Sequence, residues 1–91
     1  MEQYADRWLS EFIDTAANID HYRRDMAADI QPALGVRPLV EVSLAEIARL
    51  LEQVEADRSG AVADQVRATL RELFADAVDE RLIARSPVPA S

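Results

Sequence analysis

Apolar residues recur three or four positions apart along nearly the whole chain, and no stretch sustains a period of two. That spacing restricts the fold to amphipathic helices packed on one another. Four helices are predicted. The first covers residues 3–15, where Tyr4, Trp8 and Phe12 lie four apart with Leu9 and Ile13 beside them. A stripe of this kind is core packing rather than a ligand cage. The second covers residues 18–29, capped by Asn18, with Ile19, Tyr22, Met26 and Ile30 turned inward. Pro32 is expected to stop it, because the residue before a proline is pushed out of helical geometry. Gly35 then supplies a turn.

Residues 36–42 read as an extended connector whose Leu39, Val40 and Val42 tuck under the core. Ser43 and Glu46 form a capping box, with the hydroxyl on the Glu46 amide and the carboxylate reaching back to the Ser43 amide. The third helix runs to residue 57, with Leu44, Ile47, Leu50, Leu51 and Val54 inward. Arg58-Ser59-Gly60 breaks the pattern. The fourth helix covers residues 61–79 and buries Val62, Val66, Leu70, Leu73, Phe74, Ala77 and Val78. Residues 1–84 therefore read as one helical domain. Residues 85–91, rich in Ser and Pro, read as the start of a linker.

At 91 residues and 49% apolar, the chain is long enough for one modest core. It has no cysteine, which excludes disulfides, thiol nucleophiles and Cys-type zinc sites. No apolar run approaches the roughly 20 residues that cross a bilayer. The N-terminus opens acidic and periodic rather than as a secretory signal. A cytoplasmic protein without membrane contact is expected. With two glycines, no phosphate-cradling loop can be built, and the chain calls for no cofactor and no metal. Seventeen acidic and ten basic residues leave a net charge of −7, and all ten basic residues are Arg.

The charged groups offer few candidates for chemistry. His21 to Arg24 spells H-x-x-R, but the chain holds one His, and only Asp25 stands at helical spacing from it as a second ligand. Glu52/Glu55 and Asp76/Asp79/Glu80 read as solvated faces. Arg23 and Arg24 are adjacent on the second helix, and Arg67 and Arg71 share a face of the fourth. Ordinary intrahelical pairing, Arg67 with Asp64 and Arg71 with Glu72, accounts for the second pair without a ligand. Phosphate contact is the functional alternative.

The order of the punctuation marks is more specific than any one motif. Tyr22-Arg23-Arg24 is followed by Ile30-Gln31-Pro32-Ala33-Leu34-Gly35, then Pro38-Leu39, then Val42-Ser43 opening a helix. A later helix ends in Ala77-Val78, followed by Leu82-Ile83-Ala84-Arg85-Ser86-Pro87. This set resembles the core-binding domain of phage-type integrases, the tyrosine recombinase family. Tyr4 to Leu9 (Tyr-Ala-Asp-Arg-Trp-Leu) also resembles the family's first helix, so the likeness spans Tyr4 to Pro87. Ser86 stands where the family usually has Asn. Charged Glu80 and Arg81 stand near the usual glycine, so the last helix is expected to end by other chemistry. Ala27, Ala28 and Asp29 occupy a stretch that is often basic.

The resemblance implies an all-α, compact four-helix SAM-like bundle that clamps double-stranded DNA at a recombination site. It also implies a catalytic domain of the same parent chain as partner, together with other recombinase protomers on the DNA. By this likeness Arg23, Arg24, Arg67 and Arg71 would contact phosphates, and Asn18 and Gln65 would reach phosphates or base edges. The family's H-x-x-R and tyrosine nucleophile belong to its downstream catalytic domain. Here Tyr4 and Tyr22 are the only tyrosines, and no tyrosine follows His21-to-Arg24 beyond Tyr22 itself. The chain therefore reads as a DNA-gripping part without an active site. The alternative is an acidic helical module for protein interaction or dimerisation, which accounts for the charge of −7.

Overall fold

The computed structural model describes residues 2–10 and 19–88. Asn18, Phe12 and Ile13 lie outside the described residues. The elements are α1 (Glu2–Trp8), α2 (Ile19–Asp25), a π segment (Met26–Ile30), α3 (Gln31–Leu34), a 3-10 turn (Leu39–Glu41), α4 (Leu44–Asp57) and α5 (Gly60–Asp79). No strand occurs among the described residues. The fold is all-α, a bundle in which α4 and α5 form a hairpin and α1 and α2 pack across α5.

The core is one cluster. Trp8, Ile30, Ile47, Val66, Leu70, Leu73, Phe74 and Ala77 are fully buried in it, with Tyr4, Leu9, Met26, Leu34, Val42, Leu51 and Val54 around them. Apolar spacing thus located the inner faces of α1, α4 and α5. Val78 is only half-buried and lies outside the core cluster, and Leu44 departs further. It is 56% exposed although it shares a side of α4 with Ile47 and Leu51, because it opens the helix directly after the Ser43 cap.

Pro32 does not stop the second helix. In a straight α-helix its ring would strike the carbonyl one turn back, and its missing N–H would orphan that acceptor. The π segment removes the conflict by adding a residue to the turn. The Gln31 amide donates to the Met26 carbonyl, five residues back. The rod continues through α3 with Pro32 in its first positions and ends at Leu34.

Gly35 is right-handed (φ −56°, ψ −36°), so its role is not a turn that other residues cannot adopt. It is needed for closeness, since a Cβ there would lie 2.7 Å from both the carbonyl oxygen and Oε1 of Gln31. The connector is not extended throughout either. Leu39–Glu41 forms the 3-10 turn, which leaves Val40 70% exposed while Leu39 packs on the core and Val42 is buried.

Ser43 caps α4 as expected, its Oγ accepting from the Glu46 amide at 3.2 Å. The Glu46 carboxylate is shared. It receives Arg37 through two bonds of 3.0 and 3.1 Å. The Arg37 hydrogen bonds hold the Glu46 carboxyl below its ordinary value; burial opposes them, and the Arg37 charge and then the Ser43 hydroxyl and amide add to the lowering. Ser59 caps α5 in the same way, accepting from the Val62 amide at 3.1 Å. Gly60 is therefore the first helical residue rather than a breaker, and a Cβ there would meet nothing within 4 Å. Gly60→Ala should raise stability by about 0.4–1 kcal/mol by restricting the unfolded chain. A thermal melt checks this, and an unchanged or lowered midpoint would refute it.

The end of α5 keeps the glycine-type geometry without glycine. The Leu82 amide donates to Ala77 O and the Arg81 amide to Val78 O, each at 2.9 Å. These are the two bonds of a Schellman cap. Arg81 takes the left-handed position, φ 63°. The expectation of a different capping chemistry is thus corrected: the backbone bonds define the cap, and Arg81 bears the strain of about 1–2 kcal/mol. Arg81→Gly should return about 0.5–1 kcal/mol net, the remainder being lost to glycine's larger unfolded-state entropy. Urea unfolding measures it. Beyond the cap, Ile83 and Val88 pack against the core.

Candidate functional site

Helix α5 carries a polar line beside its apolar stripe. Thr69, Glu72, Asp76 and Glu80 follow at spacings of three, four and four, which keeps them on one flank. Each meets a different residue of the N-terminal helices. The Thr69 hydroxyl donates to Asp25 Oδ2 at 2.9 Å. Tyr22 donates to Glu72 Oε2 at 2.6 Å. The Trp8 indole donates to Asp76 Oδ2 at 2.7 Å. Arg7 reaches both carboxylate oxygens of Glu80, at 3.1 and 3.5 Å. Tyr4 adds a bond to the Leu73 carbonyl at 3.3 Å. Asp76 and Glu80 are therefore seam partners rather than a merely solvated face.

The seam perturbs its phenols. The Tyr22 hydroxyl is pushed up to about 12, first by its hydrogen bond to Glu72 and then by burial. Tyr4 is raised further, with burial the main cause and Glu80 next. A raised phenol stabilises the fold fully below its unfolded value near 10 and loses that contribution as pH rises through the folded value. Stability should fall between pH 10 and pH 12, and Tyr22→Phe should flatten that fall. Equal slopes in the two proteins would remove Glu72 as the cause.

The arginines sit elsewhere. About 100° separates successive residues of an α-helix, so Arg67 and Arg71 lie about 160° round α5 from Thr69, one turn apart from each other. They share a face, and it is not the face that meets α2. Arg67 is half-buried and pairs with Asp64 at 2.8 Å. Its Nε is buried without a hydrogen-bond partner. Arg71 is exposed and makes no ion pair among the described residues. Its expected partner Glu72 is engaged by Tyr22 instead.

Arg23 and Arg24 are exposed at the end of α2. Asp25 and Tyr22 take the α5 side of that helix, which turns the two arginines outward. Gln65 is exposed one turn before Thr69, on the α2 side of α5, and its carbonyl lies 3.2 Å from the Thr69 hydroxyl. Asn18 lies outside the described residues. The structure thus brings Arg67 to Arg71 and leaves Arg23 with Arg24, as two patches separated by the polar seam.

Nothing in this arrangement resembles a nucleophile beside a base. Among the described residues no three His, Cys, Asp or Glu could hold a metal ion together. Asp25, the second ligand considered for His21, is bonded to Thr69. Among the described residues no helix is long and apolar enough to cross a membrane.

The polar seam went unread in the sequence. Its signal was present in the three-four-four spacing of Thr69, Glu72, Asp76 and Glu80. Acidic residues next to an apolar stripe look solvated until a donor on another helix is placed against them.

Residues 1–91 match the family described as the phage integrase central domain. No curated protein and no solved structure matches the chain. The match covers the whole sequence and meets an all-helical fold punctuated at Pro32, Gly35, Ser43 and Arg81, so the protein belongs to the phage integrase central-domain family.

Proposed function

We propose that this domain grips double-stranded DNA at a recombination site, as the clamp of a tyrosine recombinase whose strand-exchange chemistry resides in a catalytic domain of the same parent chain. The family match over residues 1–91 is the observation that carries the reading. Arginines supply the chemistry, three of them exposed and Arg67 half-buried against Asp64. Arg23, Arg24, Arg67 and Arg71 contact phosphates as two patches, which orient the duplex without reading its sequence. Asn18 and Gln65 reach phosphates or base edges. Domain boundaries at residue 84 and a linker over 85–91 belong to the same proposal, as do contacts with other protomers on DNA.

The net charge of −7 opposes a polyanion at long range, so binding is weak and local. Four phosphate contacts give a slope of about −3.6 in log K against log salt. Fluorescence anisotropy of a labelled duplex over a salt series tests the reading. A slope near that value supports it. No binding at low salt overturns it.

An acidic interaction module is the second reading. It is favoured by the charge and by a groove of about 590 Å³. Exposed Val40, Leu44 and Leu82 line that groove. Concentration-dependent mass in sedimentation, together with no duplex binding, would bring it forward.

A further inference from the structure

The innermost bond of the seam joins two side chains that water scarcely reaches. Asp25 is 1% exposed and Thr69 is fully buried, and the hydroxyl meets the carboxylate at 2.9 Å. Burying a carboxylate against a hydroxyl is a poor route to stability. Apolar residues of the same shape do as well or better, because the carboxylate surrenders its hydration. What the pair supplies is direction. A slip of one residue along α2 would swing the carboxylate by about 100° and carry it away from the Thr69 hydroxyl. An apolar contact imposes no such penalty. The neighbouring Tyr22–Glu72 bond cannot take this role, since it lies at the solvent-exposed rim, where water replaces it.

We propose that Asp25 and Thr69 are positioning residues that fix the pose of α2 on α5. The pose sets the distance between the Arg23–Arg24 patch and the Arg67–Arg71 patch. The functional consequence rests on the DNA-gripping reading, whereas the pose itself does not. Asp25 sits one residue after Arg24, and Thr69 lies midway between Arg67 and Arg71. The bond therefore ties together the two short segments that carry the arginines, and a change in its register moves both patches at once.

The test is the double variant Asp25→Leu with Thr69→Val in the full chain, beside Thr69→Ser. Three signals are read. These are the thermal midpoint, the amide spectra of residues 19–25 together with emission from Trp8 (the chain's one tryptophan), and the salt slope of duplex binding. The double variant is expected to melt no lower than the wild type. Its α2 amides should shift, its duplex affinity should fall by about tenfold, and its salt slope should become shallower by about 1–2 as one patch loses its phosphates. Thr69→Ser should match the wild type in all three.

A folded double variant with wild-type α2 spectra and wild-type slope overturns the proposal. So does a double variant that fails to fold, because the pair then serves stability alone. Shifted α2 spectra with an unchanged slope overturn the link to DNA. If the wild type itself binds no duplex, the function reading falls, and the α2 spectra decide the pose independently.

Discussion

Replacing Trp8 by alanine should lower the unfolding free energy by about 3–5 kcal/mol. A domain of this size has about 5–15 kcal/mol in total. The melting temperature should therefore fall by roughly 12–40 °C. Trp8 is fully buried, and it serves three partners at once. Its ring stands edge-on to Tyr22, with centroids 5.7 Å apart and planes at 84°. Its indole N–H bonds to Asp76 across the seam. It also sits in the single cluster that joins α1 to α5. Alanine removes the ring, leaves a cavity where α1, α2 and α5 meet, and strips Asp76 of its donor. Trp8→Phe separates these effects. It retains most of the packing and loses the hydrogen bond, so its cost should be nearer about 1–3 kcal/mol. Differential scanning calorimetry on the three proteins gives the comparison. A midpoint that moves by less than a few degrees in Trp8→Ala would show that the aromatic stripe is not core.

The stripe itself was legible because an amphipathic helix has one solution, its apolar face inward. Tyr4, Trp8, Met26, Ile30, Ile47, Leu70 and Phe74 were placed from spacing alone and are buried. The caps were legible for a related reason. Ser43 with Glu46 is a local device, and its hydroxyl-to-amide bond depends on three residues of chain. Features that depend on distant partners were less so. Pro32 looks like a stop when only its own ring and neighbour are considered. The π segment that absorbs it begins at Met26 and ends at Ile30, both buried in the core. Leu44 looked like core because it falls near the apolar period, yet the first residue after a cap has no helix beside it.

The candidate site divides in the same way. The Arg67–Asp64 pair follows from a spacing of three on one helix, and the structure contains it. Arg71 and Glu72 look like partners by their nearness in sequence, but adjacent helical residues point about 100° apart and do not face each other. Glu72 turns to Tyr22 and leaves Arg71 in solvent. The buried Asp25–Thr69 bond spans 44 residues of sequence, so no local pattern could announce it. Family resemblance does not expose it either, because the stretches that carry the resemblance include the seam donors Tyr4, Arg7, Trp8 and Tyr22 but neither Asp25 nor Thr69.

Under the DNA-gripping proposal, Arg71→Gln should make the salt slope of duplex binding shallower by about 1, the signature of one lost phosphate contact. Weaker binding alone would not establish this, since any change that makes a chain of net charge −7 more acidic repels DNA more strongly. Arg49→Gln supplies the control. It removes the same single charge, but Arg49 lies on α4 beside Ala33, Leu34 and Gln53, on the side where α4 meets α3. Its loss should weaken binding slightly and leave the slope unchanged. Asp64→Asn provides the opposite sign. It releases Arg67 from its 2.8 Å partner and removes a negative charge from the same face, so affinity should rise. A phosphate patch at Arg67–Arg71 requires all three results together. Equal slopes for Arg71→Gln and Arg49→Gln would mean that the duplex senses only net charge, and the patch would then have to be sought at Arg23 and Arg24.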